Sequence, residues 1–183
     1  MSRQEAKPPV WQIVGYKNSG KTTLVCSLVE RLAAKGVRTA VIKHDAHDFD
    51  IDHPGTDSYR HRKSGAGAVA LVSSRRTAVI EEAETGLDEL IARFSGYDMI
   101  LVEGFKQAEY PKLVMVRSQE DHSLVSRLTS VNAIVSWLTD DKVKGSMDVH
   151  PGSVPVFGVN DTGRITEWLL HHSKHGTTEM NGN

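Results

Sequence analysis

Short apolar segments alternate along the chain with segments whose apolar residues recur at helical spacing. Strand-like runs rich in β-branched residues occur at residues 10–14, 39–43, 68–72, 77–80, 99–102, 113–116, 133–135 and 154–157. Helical spacing follows residue 20 and recurs at 87–94 and 165–169, and a further helix is predicted at 57–64. The continuous apolar run at 99–102 is typical of a parallel strand buried on both faces. The alternation predicts an α/β fold, a mostly parallel sheet with helices on both faces.

The first strand-like run leads into the nonapeptide G-Y-K-N-S-G-K-T-T, which fits the phosphate-binding pattern G-x-x-x-x-G-K-[ST]. A helix follows it at once, so the backbone N–H groups of the loop can surround phosphate oxygens at the positive end of a helix dipole. We expect a nucleoside triphosphate to bind here, in a single P-loop NTPase domain at residues 10–171. Flexible segments are expected at 1–9 and 172–183. The candidate nucleotide-binding residues are Gly15, Tyr16, Lys17, Asn18, Ser19, Gly20, Lys21, Thr22 and Thr23.

Composition narrows the class of protein. The 183 residues carry a net charge of −1, and no apolar run approaches the roughly 20 residues of a membrane span, so neither nucleic acid nor a membrane is an expected partner. The one cysteine, Cys26, excludes an internal disulfide and favours a cytoplasmic protein. We expect Cys26 to be a small buried side chain on the helix after the P-loop.

A second nucleotide-binding element is expected at the carboxyl end of a buried strand. The segment D-M-I-L-V-E-G places Glu103 there, whereas Asp98 opens the strand at the opposite edge of the sheet. Magnesium is commonly held by the P-loop hydroxyl and by such a carboxylate, so Thr22 and Glu103 are the predicted Mg²⁺ ligands. The alternative is that Glu103 only ends a strand.

A long polar stretch, residues 44–56, follows the second strand on the same edge of the sheet. Lys43 and Asp45 are candidates for contact with phosphate and with the Mg²⁺ shell. Two interpretations stay open: a switch loop that orders around nucleotide, or a transition-metal site. The metal site would draw on His44, His47, His53 and His61 among Asp48, Asp50 and Asp52.

Lys17, inside the P-loop, also has alternative roles. It is predicted to contact phosphate of its own site or of a partner subunit, or else to face solvent.

The ordered set of segments resembles the molybdopterin-guanine dinucleotide biosynthesis protein B (MobB) family. The resemblance rests on G-Y-K-N-S-G-K-T-T, V-I-K-H-D-x-H, T-D-S-Y-R-x-x-x-x-G-A, and L-V-E-G-F-K followed by P-K-L-V-M-V-R, across residues 11–117. It implies a dimeric, GTP-binding adaptor of molybdenum-cofactor biosynthesis that acts with the guanylyltransferase, and leaves molybdopterin open as a ligand. At most a weak GTPase is implied, not the transferase itself. By motif matching, the Mg²⁺ ligands would be Thr22 and Glu103. A neighbouring groove would be lined by Lys43, His44, Asp45, Asp57 and Arg60.

The sequence departs from typical GTPases in one respect, because the guanine-reading motif N-K-x-D is absent. Asn160-Asp161 and Thr139-Asp140-Asp141 are the candidate substitutes, although Asn and Asp also favour helix N-caps. Guanine preference therefore rests on the resemblance. A small-molecule kinase and a metallochaperone GTPase remain the alternatives. Slow hydrolysis is expected, since the sequence shows no catalytic Gln and no arginine finger.

Overall fold

A computed structural model describes residues 7–45, 49–138 and 154–175. Its secondary structure follows the predicted alternation of strands and helices. The strands are β1 Val10–Val14, β2 Thr39–Lys43, β3 Ala68–Val72, β4 Thr77–Glu81, β5 Met99–Glu103, β6 Lys112–Val116, β7 Val131–Ser136 and β8 Val156–Gly158. The helices are α1 Lys21–Ala34, α2 Asp57–Lys63, α3 Leu87–Arg93, α4 His122–Val125 after a 3₁₀ turn at Gln119–Asp121, and α5 Thr162–His175.

Contacts divide the chain into two compact units, one formed by residues 1–44 with 91–183 and the other by residues 45–90. The larger unit contains a six-stranded sheet in the order β2-β5-β1-β6-β7-β8. Every neighbouring pair in it is parallel, which places the carboxyl ends of all six strands at one edge. All five residues of β5 and of β6 are buried, as the continuous apolar runs predicted. The predicted sheet is confirmed.

Helices cover both faces of this sheet. On one face, α1 and α5 pack Leu28, Leu32 and Leu169 against side chains of β1, β5, β6, β7 and β8. On the other face, Leu124 and Val125 of α4 join a second apolar cluster with residues of β1, β6 and β7. The sheet is therefore a buried middle layer, and the P-loop is held between its central strand and α1. Within the described residues, no helix has the length and apolar character needed to cross a membrane.

The smaller unit consists of α2 and the antiparallel hairpin of β3 and β4. The side chain of Arg62 on α2 is 11% exposed and binds three carboxylates. Its guanidinium donates to Asp50 Oδ1 at 2.9 Å and to Glu82 Oε1 at 2.6 Å, with Asp52 Oδ2 at 3.4 Å. These bonds raise the pKa of Arg62 above its ordinary value. They also connect α2 to the segment before it, at Asp50, and to the residue after β4, at Glu82.

Three features differ from expectation. The helix α4 was not predicted, because four residues with two adjacent apolar side chains carry no periodicity. Helix α5 continues to His175, so residues 172–175 are helical although we expected them in the polar tail. Cys26 is exposed rather than buried, because Leu24, Val25 and Leu28 define the buried face of α1 and Cys26 lies off it.

Candidate nucleotide site

The P-loop connects the end of β1 to the start of α1 in a conformation that few residues adopt. Gly20 precedes the helix with φ of 94°, and Asn18 has φ of 61°, both in the left-handed region. Gly15 packs against β6 so closely that a Cβ there would lie 2.9 Å from Met115 Cβ. The Ser19 amide donates to Tyr16 O at 3.3 Å, which closes the turn. The loop thus has the tight, glycine-dependent shape that a backbone phosphate cradle requires.

Lys21, the first residue of α1, folds back over the loop. Its ammonium donates to Tyr16 O at 2.7 Å and to Gly15 O at 3.3 Å. Burial is the main cause of a lowered pKa for Lys21; Glu103 opposes the shift, and the positive charges of Lys106 and Lys43 add to it. In the part of the chain that the structure describes, its hydrogen bonds go to these two carbonyl oxygens, and two of the three charges that act on it are positive. Phosphate oxygens would add negative charge beside it.

Thr22 and Glu103 are brought together as the sequence suggested. The Thr22 hydroxyl donates to Glu103 Oε1 at 2.8 Å. Glu103 is the last residue of β5 and only 6% exposed, whereas Asp98 precedes β5 at the other edge and accepts from Arg38 N at 2.7 Å. Hydroxyl and carboxylate oxygens are hard ligands of the type that Mg²⁺ prefers.

A strained turn follows Glu103 and carries Lys106. Gly104 and Phe105 have φ of 99° and 50°, and the buried Gln12 amide donates to both of their carbonyls, at 3.1 and 2.8 Å. The Phe105 ring also lies against His44, with ring centroids 4.6 Å apart. Beyond the turn, Lys106 Nζ lies 4.7 Å from the centroid of the Tyr16 ring in the P-loop.

Two side chains brace the loop from the β6 and β7 side. The indole N–H of Trp137 donates to Ser19 O at 2.9 Å, and the same ring lies against Gly20. Arg117 donates to Asn18 O at 3.2 Å. Sequence reasoning did not single out Trp137, Arg117, Lys106 or Gln12 as site residues. The available signal was position, because Trp137 and Arg117 each follow a strand directly at the edge that carries the P-loop.

The predicted neighbouring groove draws on both units. Lys43 and His44 lie in the larger unit beside Glu103, since the His44 amide donates to Glu103 O at 2.9 Å. Asp45 falls in the smaller unit, as do Asp57 and Arg60, which form an exposed ion pair at 3.6 Å on α2. The groove that combines these five residues remains a prediction.

The acidic residues after β2 have partners other than histidine. Asp50 and Asp52 bind Arg62, and Asp52 Oδ1 also accepts from Ser58 and Thr56. Desolvation acts to raise the pKa of Asp52, but these hydrogen bonds outweigh it and the net pKa is lowered. Among the described residues, no group of three or more His, Cys, Asp or Glu side chains is arranged to hold a metal ion. His47 and Asp48 lie outside the described residues.

The residues proposed to read the base are only partly described. Asn160 is exposed at the end of β8, and the carboxylate of Asp161 accepts from Gly158 N at 3.2 Å in the turn that starts α5. The donor, Gly158, precedes the helix, so this bond holds the turn after β8, and both the base contact and the N-cap role of Asp161 stay predictions. The second candidate, Thr139-Asp140-Asp141, lies outside the described residues. Lys17 is exposed in the loop.

The parallel sheet, the P-loop at the end of its central strand and the Thr22–Glu103 pair define the P-loop NTPase fold class. A family model for molybdopterin guanine dinucleotide synthesis protein B (MobB) matches residues 10–137. The chain therefore belongs to the MobB family.

Two relatives illustrate the match. The chain is 41% identical over 120 residues to the molybdopterin-guanine dinucleotide biosynthesis adapter protein of Escherichia coli strain K12. The aligned segment covers 62% of this chain and 69% of the relative. It is 32% identical over 157 residues to the probable adapter protein of the same name from Bacillus subtilis strain 168, with 84% and 87% covered.

Solved structures give the same result. A crystal structure of a MobB protein homolog from Bacillus stearothermophilus superposes with a TM-score of 0.70 at 30% identity, covering 91% of this chain and 98% of that one. HypB from Helicobacter pylori, at 16% identity and a TM-score of 0.55, shares the fold. It covers 97% of this chain, and 92% of HypB is covered in turn.

Proposed function

We propose that this chain is a GTP-binding adaptor of molybdopterin guanine dinucleotide biosynthesis. The observation that carries the nucleotide part is the P-loop itself, in which the ammonium of Lys21 lies over the loop carbonyls at 2.7 and 3.3 Å. The adaptor part is supported by the names of its relatives in E. coli and B. subtilis. Family membership supports guanine preference and the guanylyltransferase as the partner enzyme, and both are part of the proposal.

Magnesium is part of the proposal. Thr22 and Glu103 supply two oxygen ligands already in hydrogen-bond contact, and they fit a hard divalent cation. When bound, Mg²⁺ would neutralise charge between the β- and γ-phosphates. The residues of the chain do the rest: Lys21 binds phosphate oxygens, and the backbone of Gly15 and Gly20 keeps the cradle open.

We expect hydrolysis by the isolated protein to be slow. Gln12 is fully buried and its amide is committed to the Gly104 and Phe105 carbonyls, so it is not available to orient a water. Arg117 donates to a loop carbonyl rather than lying free to act as an arginine finger, a group worth about 10³–10⁵ in rate. Turnover of several per second by the purified chain alone would contradict this expectation.

The proposal includes a homodimer and a cytoplasmic location. Val72 and Val79 lie on one face of the hairpin and are 75% and 55% exposed, an apolar surface that suits a second copy of the chain. The exposed free thiol of Cys26 suits a reducing compartment. Light scattering tests the dimer: Val72→Asp should give monomers if the hairpin forms the interface, and a wild-type monomer would refute the dimer.

Calorimetric titration with GTP, ATP and GDP, each with Mg²⁺, tests the nucleotide assignment. We expect GTP to bind more tightly than ATP, and Lys21→Ala to abolish binding without changing the circular dichroism spectrum. Lys35→Ala is the matched control, because Lys35 lies at the other end of α1 in an exposed ion pair with Glu167. Tighter binding of ATP would refute guanine preference, and unchanged affinity of Lys21→Ala would remove Lys21 from the site.

A second experiment tests the adaptor role. The purified chain, immobilised, is incubated with the guanylyltransferase in the presence and absence of GTP. Retention of the enzyme supports the proposal, and Lys21→Ala shows whether retention depends on bound nucleotide. No retention under either condition would refute this partner and leave the nucleotide assignment intact.

A further inference from the structure

One cation at the P-loop has no part in the proposed function. Lys106 Nζ lies 4.7 Å from the centroid of the Tyr16 ring, and Tyr16 is the loop residue whose carbonyl receives Lys21 Nζ. The ammonium groups of two lysines therefore meet at one residue, one on its backbone oxygen and one on its ring. An inference from this arrangement rests on the proposed nucleotide binding.

The backbone that delivers Lys106 is strained and closely braced. Gly104 and Phe105 both have positive φ, and for the non-glycine residue this conformation persists only where its surroundings enforce it. The enforcing contacts are the two hydrogen bonds from Gln12 and the packing of Phe105 against His44. A Cβ on Gly104 would lie 3.0 Å from His44 Cβ, so the turn packs closely against His44 at a position that favours glycine. The result is a chain that leaves β5 and bends back over the P-loop.

We propose that Lys106 is a second phosphate-binding residue of this site, and that it leaves the Tyr16 ring for the terminal phosphate when a nucleoside triphosphate binds.

The electrostatics of the site support this role. Lys106 Nζ lies over the ring of Tyr16 while Lys21 Nζ binds the carbonyl oxygen of the same residue, so two positive charges lie close together at the loop. A cation over a partly exposed aromatic ring is held weakly, whereas an ammonium on a phosphate oxygen makes a charge-assisted hydrogen bond. Transfer of Lys106 from the ring to a phosphate oxygen is therefore favourable, and the negative charge of the phosphate offsets the repulsion between the two ammonium groups.

The position of the turn selects the terminal phosphate. Lys106 lies three residues after Glu103, which contacts Thr22, the hydroxyl that in P-loops serves the metal between the β- and γ-phosphates. Trp137 and Arg117 occupy the opposite side of the loop, toward β6 and β7. Lys106 thus approaches from the metal side of the cradle.

The test compares a non-hydrolysable GTP analogue with GDP, in Mg²⁺, by calorimetry. We expect Lys106→Met to weaken analogue binding about tenfold to a hundredfold, the range for a lost hydrogen bond to a charged group, and GDP binding less than about threefold. Lys106→Arg should retain most of the affinity for the analogue. Lys35→Met removes one exposed charge at the far end of α1 and should leave both affinities unchanged.

A second variant tests the turn. Gln12→Leu keeps the volume but removes both hydrogen bonds to the turn, and we expect it to reduce the affinity for the analogue relative to GDP in the same direction as Lys106→Met. If Lys106→Met loses affinity equally for the analogue and GDP, or loses none, the inference is overturned. Binding of nucleotide by the wild type would still uphold the proposed function. A wild-type chain that binds neither nucleotide would overturn both.

Discussion

Trp137 should control the conformation of the P-loop through a single hydrogen bond. Its indole N–H donates to Ser19 O at 2.9 Å, and its ring lies beside Gly20, where a Cβ would meet Trp137 Cζ2 at 3.2 Å. Trp137→Phe keeps an aromatic ring but removes the only N–H of the side chain. Loop conformations that do not present the cradle then become more populated.

The size of the effect follows from the type of bond and its exposure. A neutral side-chain to backbone hydrogen bond contributes about 1 kcal/mol net, which corresponds to a factor of about five in an equilibrium constant. Ser19 is only 1% exposed, so a carbonyl left without its donor adds a desolvation penalty and brings the loss to about 1–3 kcal/mol. If the whole contribution holds the loop in its binding conformation, the apparent Kd for nucleotide rises about fivefold to about 150-fold.

Nucleotide titration monitored by tryptophan fluorescence provides the assay. We expect a nucleotide-dependent change in the wild type that is lost in Trp137→Phe and retained in Trp168→Phe. Trp168 is the matched control, since its ring packs on Trp11 and Phe157 within the apolar core, and its replacement should lower stability without changing affinity. A wild-type Kd for Trp137→Phe, with the fluorescence change retained, would refute the role of Trp137 in holding the loop.

Three further changes test the packing and charge of the larger unit. Gly15→Ala should lower the free energy of unfolding by about 1–3 kcal/mol, because its Cβ overpacks against β6; denaturation curves that superpose on the wild type would contradict this. Thr22→Val should cost the nucleotide-free protein about 2 kcal/mol, since the buried carboxylate of Glu103 loses the hydrogen bond that the Thr22 hydroxyl donates, whereas Thr22→Ser should be close to wild type in urea titration. The Arg38 amide holds the pKa of Asp98 below its ordinary 3.8, so its contribution is complete above that pH and is lost as the pH falls through the folded-state pKa. The difference in Tm between wild type and Asp98→Asn should therefore shrink below pH 3.8, and a difference independent of pH would exclude the linkage.

The sheet could be predicted because its signals are local. Runs such as 99–102 are apolar at every position, and a strand buried on both faces imposes that composition. The placement of Glu103 followed from the same reasoning, since it ends such a run and parallel strands bring their carboxyl ends to one edge. The prediction that Cys26 is buried was wrong because of helix geometry. Cys26 lies next to the buried Val25 in sequence, but one step along a helix turns the side chain by about 100°.

The braces of the P-loop could not be predicted, because they depend on the order of strands. Trp137 is distant in sequence from Ser19, and the two meet only because β7 is separated from β1 by β6 alone. Strand order is a tertiary property that the apolar pattern leaves undetermined. The role of Gln12 could not be predicted for a different reason. A polar residue in a strand normally indicates an exposed face, yet Gln12 is fully buried and donates to the carbonyls of Gly104 and Phe105, 92 and 93 residues later.

The distribution of charge in the larger unit indicates what the site is built to do. Three neighbouring charges act on Lys21, and two of them, Lys43 and Lys106, are positive against the one carboxylate of Glu103. Such an arrangement raises the affinity for a polyanion, since like-charge repulsion is relieved when phosphate enters. Hydrolysis requires something different, a group that orients water and an unengaged cation for the charge of the transition state. Two polar side chains near the loop, Gln12 and Arg117, hold backbone carbonyls instead. Their contacts stabilise the shape of the cradle, which favours holding and presenting a nucleotide over its rapid turnover.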